Sequence, residues 1–225
     1  MLILVYNEDT NQIEKFNRTL GQPMPYVNNS WLTVKEFRGS SKTTILWTTK
    51  SAMRSFYKTR ANFGPIYVGY AFKRIWEGGH SGQSQHYAGV SFDTGQKWTY
   101  SKRKYLYNTA KRLGVWTYVE PISQTPTWVH FDKRRLPAAC GAGYPTLKQG
   151  SKSNYVMILQ DALNNMGRNL SIDGIFGSKT TSAVINFQRY YGLKADGIVG
   201  CNTWRKIASI AVGMGKSNYT KYSYW

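Results

Sequence analysis

Three histidines occur among the 225 residues: His80, His86 and His130. His86 sits in the run Gly79-His80-Ser81-Gly82-Gln83-Ser84-Gln85-His86-Tyr87-Ala88-Gly89-Val90-Ser91-Phe92-Asp93, and His130 sits in Trp128-Val129-His130-Phe131-Asp132. Each run pairs an imidazole with a carboxylate. Those donors suit a borderline-soft divalent ion, and a site with three protein ligands keeps a position open for a water whose pKa falls towards neutrality. Zinc fits such donors beside hydrolytic chemistry, while iron and manganese accept the same atoms. Gly89 permits a tight turn or close backbone approach inside the first run.

The pattern Ser84-x-His86-x-x-Gly89-x-x-x-Asp93 resembles the signature of D-alanyl-D-alanine carboxypeptidases, zinc peptidases that cut D-amino-acid bonds in bacterial cell-wall peptides. Trp128-Val129-His130 resembles the segment that supplies the third ligand in that family. The resemblance implies a Zn2+ cofactor held by His86, Asp93 and His130. Ser91 stands where the family often has Ala.

Two departures concern the chemistry around the ion. Many relatives carry Glu three residues before the third ligand, where this chain has Thr127; a branch has His-x-Asp instead, matched by His130-Phe131-Asp132. Residues two apart on a strand point the same way. Asp132 is therefore the expected general base and acid, with Glu120 the second candidate. The competing structural reading pairs Asp132 with Lys133, Arg134 or Arg135. Relatives also read Gly-Tyr-Arg where this chain has Gly69-Tyr70-Ala71. Arg74 or His80 then becomes the candidate to face negative charge on the reacting carbonyl. Tyr67, Tyr70 and Trp76 are expected in the cleft wall.

These residues need an α+β frame, with ligands at strand ends and loops. Hydrophobic periodicity predicts strands at Met1–Tyr6, Pro65–Tyr70, Val115–Val119 and Thr127–Phe131, a helix at Thr49–Arg60, and a basic helix at Ser101–Leu113 ending on Gly114. The expectation for residues 1–135 is a zinc-peptidase-like catalytic domain with a small antiparallel sheet and helices. Residues 136–143 turn to small residues, Pro and Gly, and read as a linker.

Beyond the linker two turn motifs recur 23 residues apart, Asp173-Gly174-Ile175-Phe176-Gly177-Ser178-Lys179-Thr180 and Asp196-Gly197-Ile198-Val199-Gly200-Cys201-Asn202-Thr203. Glycine supplies unusual backbone angles in such turns, and Ser178 or a nearby hydroxyl is the expected helix cap. Ala183, Val184, Phe187, Tyr190 and Tyr191 recur at helical spacing between them. The pattern resembles the small three-helix peptidoglycan-binding domain over residues 144–210, leaving 211–225 as a tail. Cys140 and Cys201 are the two cysteines. A disulfide between them and two separate thiols are both compatible with the sequence.

Thirty Lys and Arg against 11 Asp and Glu give a net charge of +19, which attracts polyanions at long range. No nucleic-acid motif accompanies the basic residues. Peptidoglycan, with anionic teichoic acids, is the partner that the resemblances imply, and the chain is expected to be a monomer. No apolar stretch reaches the length of a membrane span. The Met1–Tyr6 run is short and lacks a basic flank, so it is not expected to be a signal peptide; action at the wall would follow lysis, a holin or another export route. The function implied is zinc-dependent cleavage of D-Ala-containing stem peptides. Cleavage between L-Ala and D-Glu, as in some endolysins, and a catalytically silent wall-binding protein are the alternatives.

Overall fold

The computed structural model describes residues 1–27, 32–141 and 143–214. The expected tail falls mostly outside the described residues. Contacts divide the chain into two compact units, residues 1–72 with 88–134, and residues 73–87 with those from 135 onward.

The first unit opens with β1 (Leu2–Asn7), β2 (Gln12–Asn17), α1 (Val34–Arg38), β3 (Ile45–Thr49) and α2 (Lys50–Phe63). The apolar run Leu2–Tyr6 explains the central place of β1, with Ile3, Leu4 and Val5 almost wholly buried. The hairpin to β2 turns through Asn11 at φ 53°, a left-handed conformation that Asn tolerates. β2 pairs with β1 antiparallel, whereas β3 pairs parallel on the other edge. This three-stranded mixed sheet was not anticipated: Ile45–Thr49, unexpected as a strand, runs straight into α2, whose first turn is capped by the Thr49 hydroxyl accepting from the Ala52 amide. A parallel pair needs a long connection, and the one from β1 to β3 runs by way of β2 and α1.

The remaining elements are β4 (Val68–Tyr70), β5 (Ser91–Thr94), α3 (Tyr100–Leu113), β6 (Tyr118–Val119) and β7 (Val129–Asp132). The four strands form an antiparallel sheet in the order β4-β5-β7-β6. α3 ends on Gly114 in the left-handed region, as its sequence predicts. Phe92 and Phe131 point from β5 and β7 into a core shared with Phe56, Trp47, Phe72 and Trp116. Truncating one of these aromatics to Ala costs about 3–5 kcal/mol. Their burial fixes which face of each strand looks outward, and so where the alternate residues Asp93, His130 and Asp132 stand. Gly89 is required as expected: at φ 68° a Cβ there would lie 2.0 Å from the Trp47 carbonyl oxygen.

The second unit holds a 3-10 turn at Ile75–Glu77 and the helices α4 (Asn154–Asn165), α5 (Ser178–Tyr190) and α6 (Cys201–Ala211). Apolar faces carrying Ile158, Leu159, Val184, Phe187, Trp204 and Ile207 are buried. Cys140 and Cys201 form a disulfide. The expected capping is corrected, because α5 and α6 start from Gly177 and Gly200 with no side-chain cap bond. No helix among the described residues is long and apolar enough to cross a membrane.

Candidate functional site

Register in the four-stranded sheet sets out the candidate residues of the first unit. Asp93 on β5 stands opposite His130 on β7, and Ser91 opposite Asp132. Tyr70 on β4 stands opposite Asp93, extending the row by one strand. On the other side of β7, Tyr118 opposes Asp132, and the register continues with the Glu120 amide donating to the His130 carbonyl at 3.0 Å. Directly opposed residues share a face. Tyr70, Asp93, His130 and Glu120 therefore make one row across four strands, and Ser91, Asp132 and Tyr118 make the row beside it.

Within these rows the His130 ring lies between two carboxylates. Its Nδ1 is 2.7 Å from Asp93 Oδ1 and its Nε2 is 3.2 Å from Asp132 Oδ2. Burial alone would lower the pKa of this imidazole, but hydrogen bonds and charge from Asp132 and Asp93 outweigh it and raise the pKa to about 9. Asp132 is wholly buried. Burial pushes its carboxyl up, and the Arg134 guanidinium together with His130 more than reverses this, holding it below the usual carboxylate range.

Asp132 is enclosed by its partners. Its oxygens accept from the Arg134 amide at 3.0 Å, from Arg134 Nε at 2.8 Å, from a second guanidinium nitrogen of Arg134, and from His130. A carboxylate offers about four acceptor positions, and these partners occupy them. The pairing with Arg134 is the structural alternative read from the sequence, and it coexists with the contact to His130. Glu120 is half-buried, on the same face as His130, and Thr127 is exposed. Tyr118 was not singled out in the sequence; its ring centroid lies 6.5 Å from that of His130, with the Arg134 guanidinium 4.2 Å over it. Its place two residues before Glu120, in the extended run that β6 begins, is the signal that could have found it.

The second unit carries the other candidates. His80 and His86 stack with ring centroids 4.3 Å apart and 25° between planes, and offer ring nitrogens within 4.8 Å of each other. His86 is 2% exposed. The Tyr87 hydroxyl closes the loop around His80, donating to its carbonyl at 2.9 Å and lying 3.1 Å from its amide. Arg74, a candidate to face substrate, is engaged by Asp161: Nε donates to Oδ2 at 2.6 Å and a second guanidinium nitrogen donates to Oδ1. Trp76 lies beside the same guanidinium, 5.8 Å from ring centroid to Cζ.

The two sequence repeats become two equivalent clamps. Gln160 Nε2 donates to Asp173 Oδ1 at 2.8 Å, to the Ile175 carbonyl at 3.1 Å and to Thr180 Oγ1 at 3.4 Å, while its Oε1 accepts from the Asp173 and Gly174 amides. Gln188 repeats this with Asp196, Ile198, Thr203 and the Gly197 amide. Gly174 and Gly197 adopt φ of 73° and 72°, which an Asp-Gly turn of this kind needs. Gln160 was missed in the sequence because it stands on the helix before its turn, outside the repeated motif, while Gln188 belongs to the Phe187-Gln188 pair of the resemblance.

Residues 152–207 match the family described as "Putative peptidoglycan binding domain". The second unit thus carries a peptidoglycan-binding domain. Similar proteins include an uncharacterized protein in the bpoA1 3′ region of Kitasatospora aureofaciens, 46% identical over 30% of this chain and 62% of its own length. A zinc D-Ala-D-Ala carboxypeptidase of Streptomyces albus G is 46% identical over 28% of this chain and 26% of its own. An N-acetylmuramoyl-L-alanine amidase, CwlL, of Bacillus licheniformis is 35% identical over 35% of this chain and 20% of its own. The chain spans less than two thirds of each of these relatives, and the similarity falls on the binding-domain region.

Proposed function

We propose that the protein is a modular peptidoglycan hydrolase: a zinc-dependent peptidase cutting D-Ala-containing stem peptides, with the binding domain delivering it to the wall. The observation that carries this reading is the row Asp93–His130–Glu120, with Asp132 behind the His130 ring. It accompanies a peptidoglycan-binding domain in the same chain.

The donor set fits zinc. A histidine that ligates a metal with one ring nitrogen usually gives the other to a carboxylate, which fixes tautomer and orientation. Asp132, locked by Arg134, supplies that carboxylate at His130 Nε2, and Asp93 stands at Nδ1. His86, Asp93 and His130 would hold the ion. When bound, zinc supplies Lewis acidity towards a scissile carbonyl and lowers the pKa of a water at the site.

Glu120 takes the proton of the attacking water as the new oxygen–carbon bond forms, and returns it to the amine nitrogen as the carbon–nitrogen bond breaks. Asp132 holds the His130 ring as a positioning group, since Arg134 and His130 occupy its oxygens. With Arg74 engaged by Asp161, His80 is the remaining candidate from the sequence to face charge on the carbonyl oxygen. Tyr70 and Tyr118 border the row on the sheet. The binding domain raises the local concentration of bonds without altering the chemistry. The +19 charge suits attachment to teichoic acids as well as to peptide carboxylates.

Metal removal tests the reading. Dialysis against a chelator should abolish release of peptides from purified peptidoglycan, and one equivalent of zinc per chain should restore it. Undiminished release by protein verified to contain no metal would reject a zinc peptidase.

A further inference from the structure

The segment 73–87, which carries both His80 and His86, belongs to the same compact unit as the peptidoglycan-binding domain. Its attachments are polar, buried and placed at both ends. At the entry, the Arg74 guanidinium is bound by Asp161 on α4, which is 0% exposed and also accepts from Asn165 Nδ2 at 3.2 Å. At the exit, three consecutive residues before His86 are held. Gln83 Oε1 accepts from the Tyr144 amide at 2.8 Å, the Ser84 carbonyl accepts from the Tyr144 hydroxyl at 2.7 Å, and Gln85 Oε1 accepts from the Tyr155 hydroxyl at 2.9 Å. Tyr144 and Tyr155 are 0% and 1% exposed, and Tyr155 stands in the first turn of α4. Gly143 completes the fit, because a Cβ there would lie 2.2 Å from Gln83 Oε1.

We infer that Tyr144, Tyr155 and Asp161 position the histidine-bearing segment of their own unit, so that the presentation of His86 to a metal ion depends on hydrogen bonds made by the wall-binding unit itself. This rests on the proposed role of His86 as a zinc ligand. The physical reason is that hydrogen-bonded buried groups have one low-energy arrangement, so a strap fixed at residues 74 and 83–85 leaves His86 little freedom to lose when the ion binds. Tyr144, Tyr155 and Asp161 touch no reacting atom and are positioning residues. Loosening the strap returns that freedom to His86, and metal affinity should fall about tenfold or more.

The test uses the full chain and two readouts: zinc affinity by competition with a chromophoric chelator, and the visible absorption of the cobalt-substituted protein. Tyr144→Phe with Tyr155→Phe keeps both rings and deletes both hydroxyls. Gln188→Ala loosens a clamp elsewhere in the same unit and serves as the control for general destabilisation. The expected result is at least tenfold weaker zinc binding and altered cobalt bands in the double variant, near-normal values in Gln188→Ala, and unchanged pelleting of the double variant with peptidoglycan. If the double variant does not fold, Tyr155→Phe alone carries the same expectation with a smaller loss. Zinc affinity within twofold of the parent, or reduced only as much as in Gln188→Ala, overturns the inference while leaving the zinc site standing, provided His86→Ala abolishes binding. A parent protein that binds no zinc, or binds it equally well as His86→Ala, overturns the proposed function and this inference together.

Discussion

In the binding-domain unit two buried glutamine amides are each served by a turn a short distance along the chain: Gln160 by residues 173–180 and Gln188 by residues 196–203. In the first unit the polar side chains that matter come from strands far apart in sequence, Asp93 meeting His130 across 37 residues. The local clamps repeat, and each half of the repeat can be checked against the other. The sheet has no such redundancy. One residue of slippage in β7 would turn His130 and Asp132 into the core and bring Phe131 outward, so the site depends on the aromatic packing behind it. A scaffold for adhesion can be built from repeated local units, whereas a site that needs an imidazole between two carboxylates is built here from cross-strand register.

The proposed function puts the chemistry on the sheet, and the largest expected effect tests that. Glu120→Gln removes a proton acceptor at nearly constant shape and should lower peptide release about 10²–10⁴-fold, as loss of general acid–base help commonly does. Zinc content and pelleting with peptidoglycan should stay unchanged. A rate near the parent value in a folded, zinc-loaded variant returns the role of base to another group, Asp132 first.

The second effect concerns what holds the repeated unit. The Cys140–Cys201 bridge spans 61 residues. Chain entropy gives a cross-link of that loop size about 4 kcal/mol of stabilisation. Cys140→Ser with Cys201→Ser should lower the urea midpoint of this unit accordingly. An unchanged midpoint would mean that the clamps and apolar helix faces suffice alone.

Third and smaller, Asp132→Asn keeps the shape but exchanges a carboxylate oxygen for an amide beside Arg134. Zinc affinity should fall about 10–100-fold, the usual cost of losing an outer carboxylate partner of a ligating histidine. Activity at saturating zinc should recover most of the parent rate. If Asp132→Asn binds zinc normally yet is inactive, Asp132 is the base and not a positioning group.

The sequence made some of this legible and hid the rest for physical reasons. Helices α2 and α3 and the repeat-bearing unit follow from periodicity, turn glycines and a cap, all of which act within a few residues. β3 and β5 were missed because a five-residue strand flowing into a helix and a four-residue strand inside a motif leave too little pattern. The proposed donors His86, Asp93 and His130 could be named through the family resemblance that their types and spacing carry. A pairing of Asp132 with Arg134 could be offered from the sequence, but its complete burial could not, since only the assembled sheet creates it. Arg74 could be noticed as a cation near the motif, but its partner Asp161 is 87 residues away. Nothing local announces that pair.

The most direct test is mass spectrometry of purified peptidoglycan digested by the zinc-loaded full chain, with His130→Ala in parallel. The account predicts peptides newly cut at a D-Ala bond with the parent and none with the variant. New ends at glycan or muramoyl–alanine bonds, or an unchanged muropeptide profile from a protein that still pellets with the wall, would contradict it.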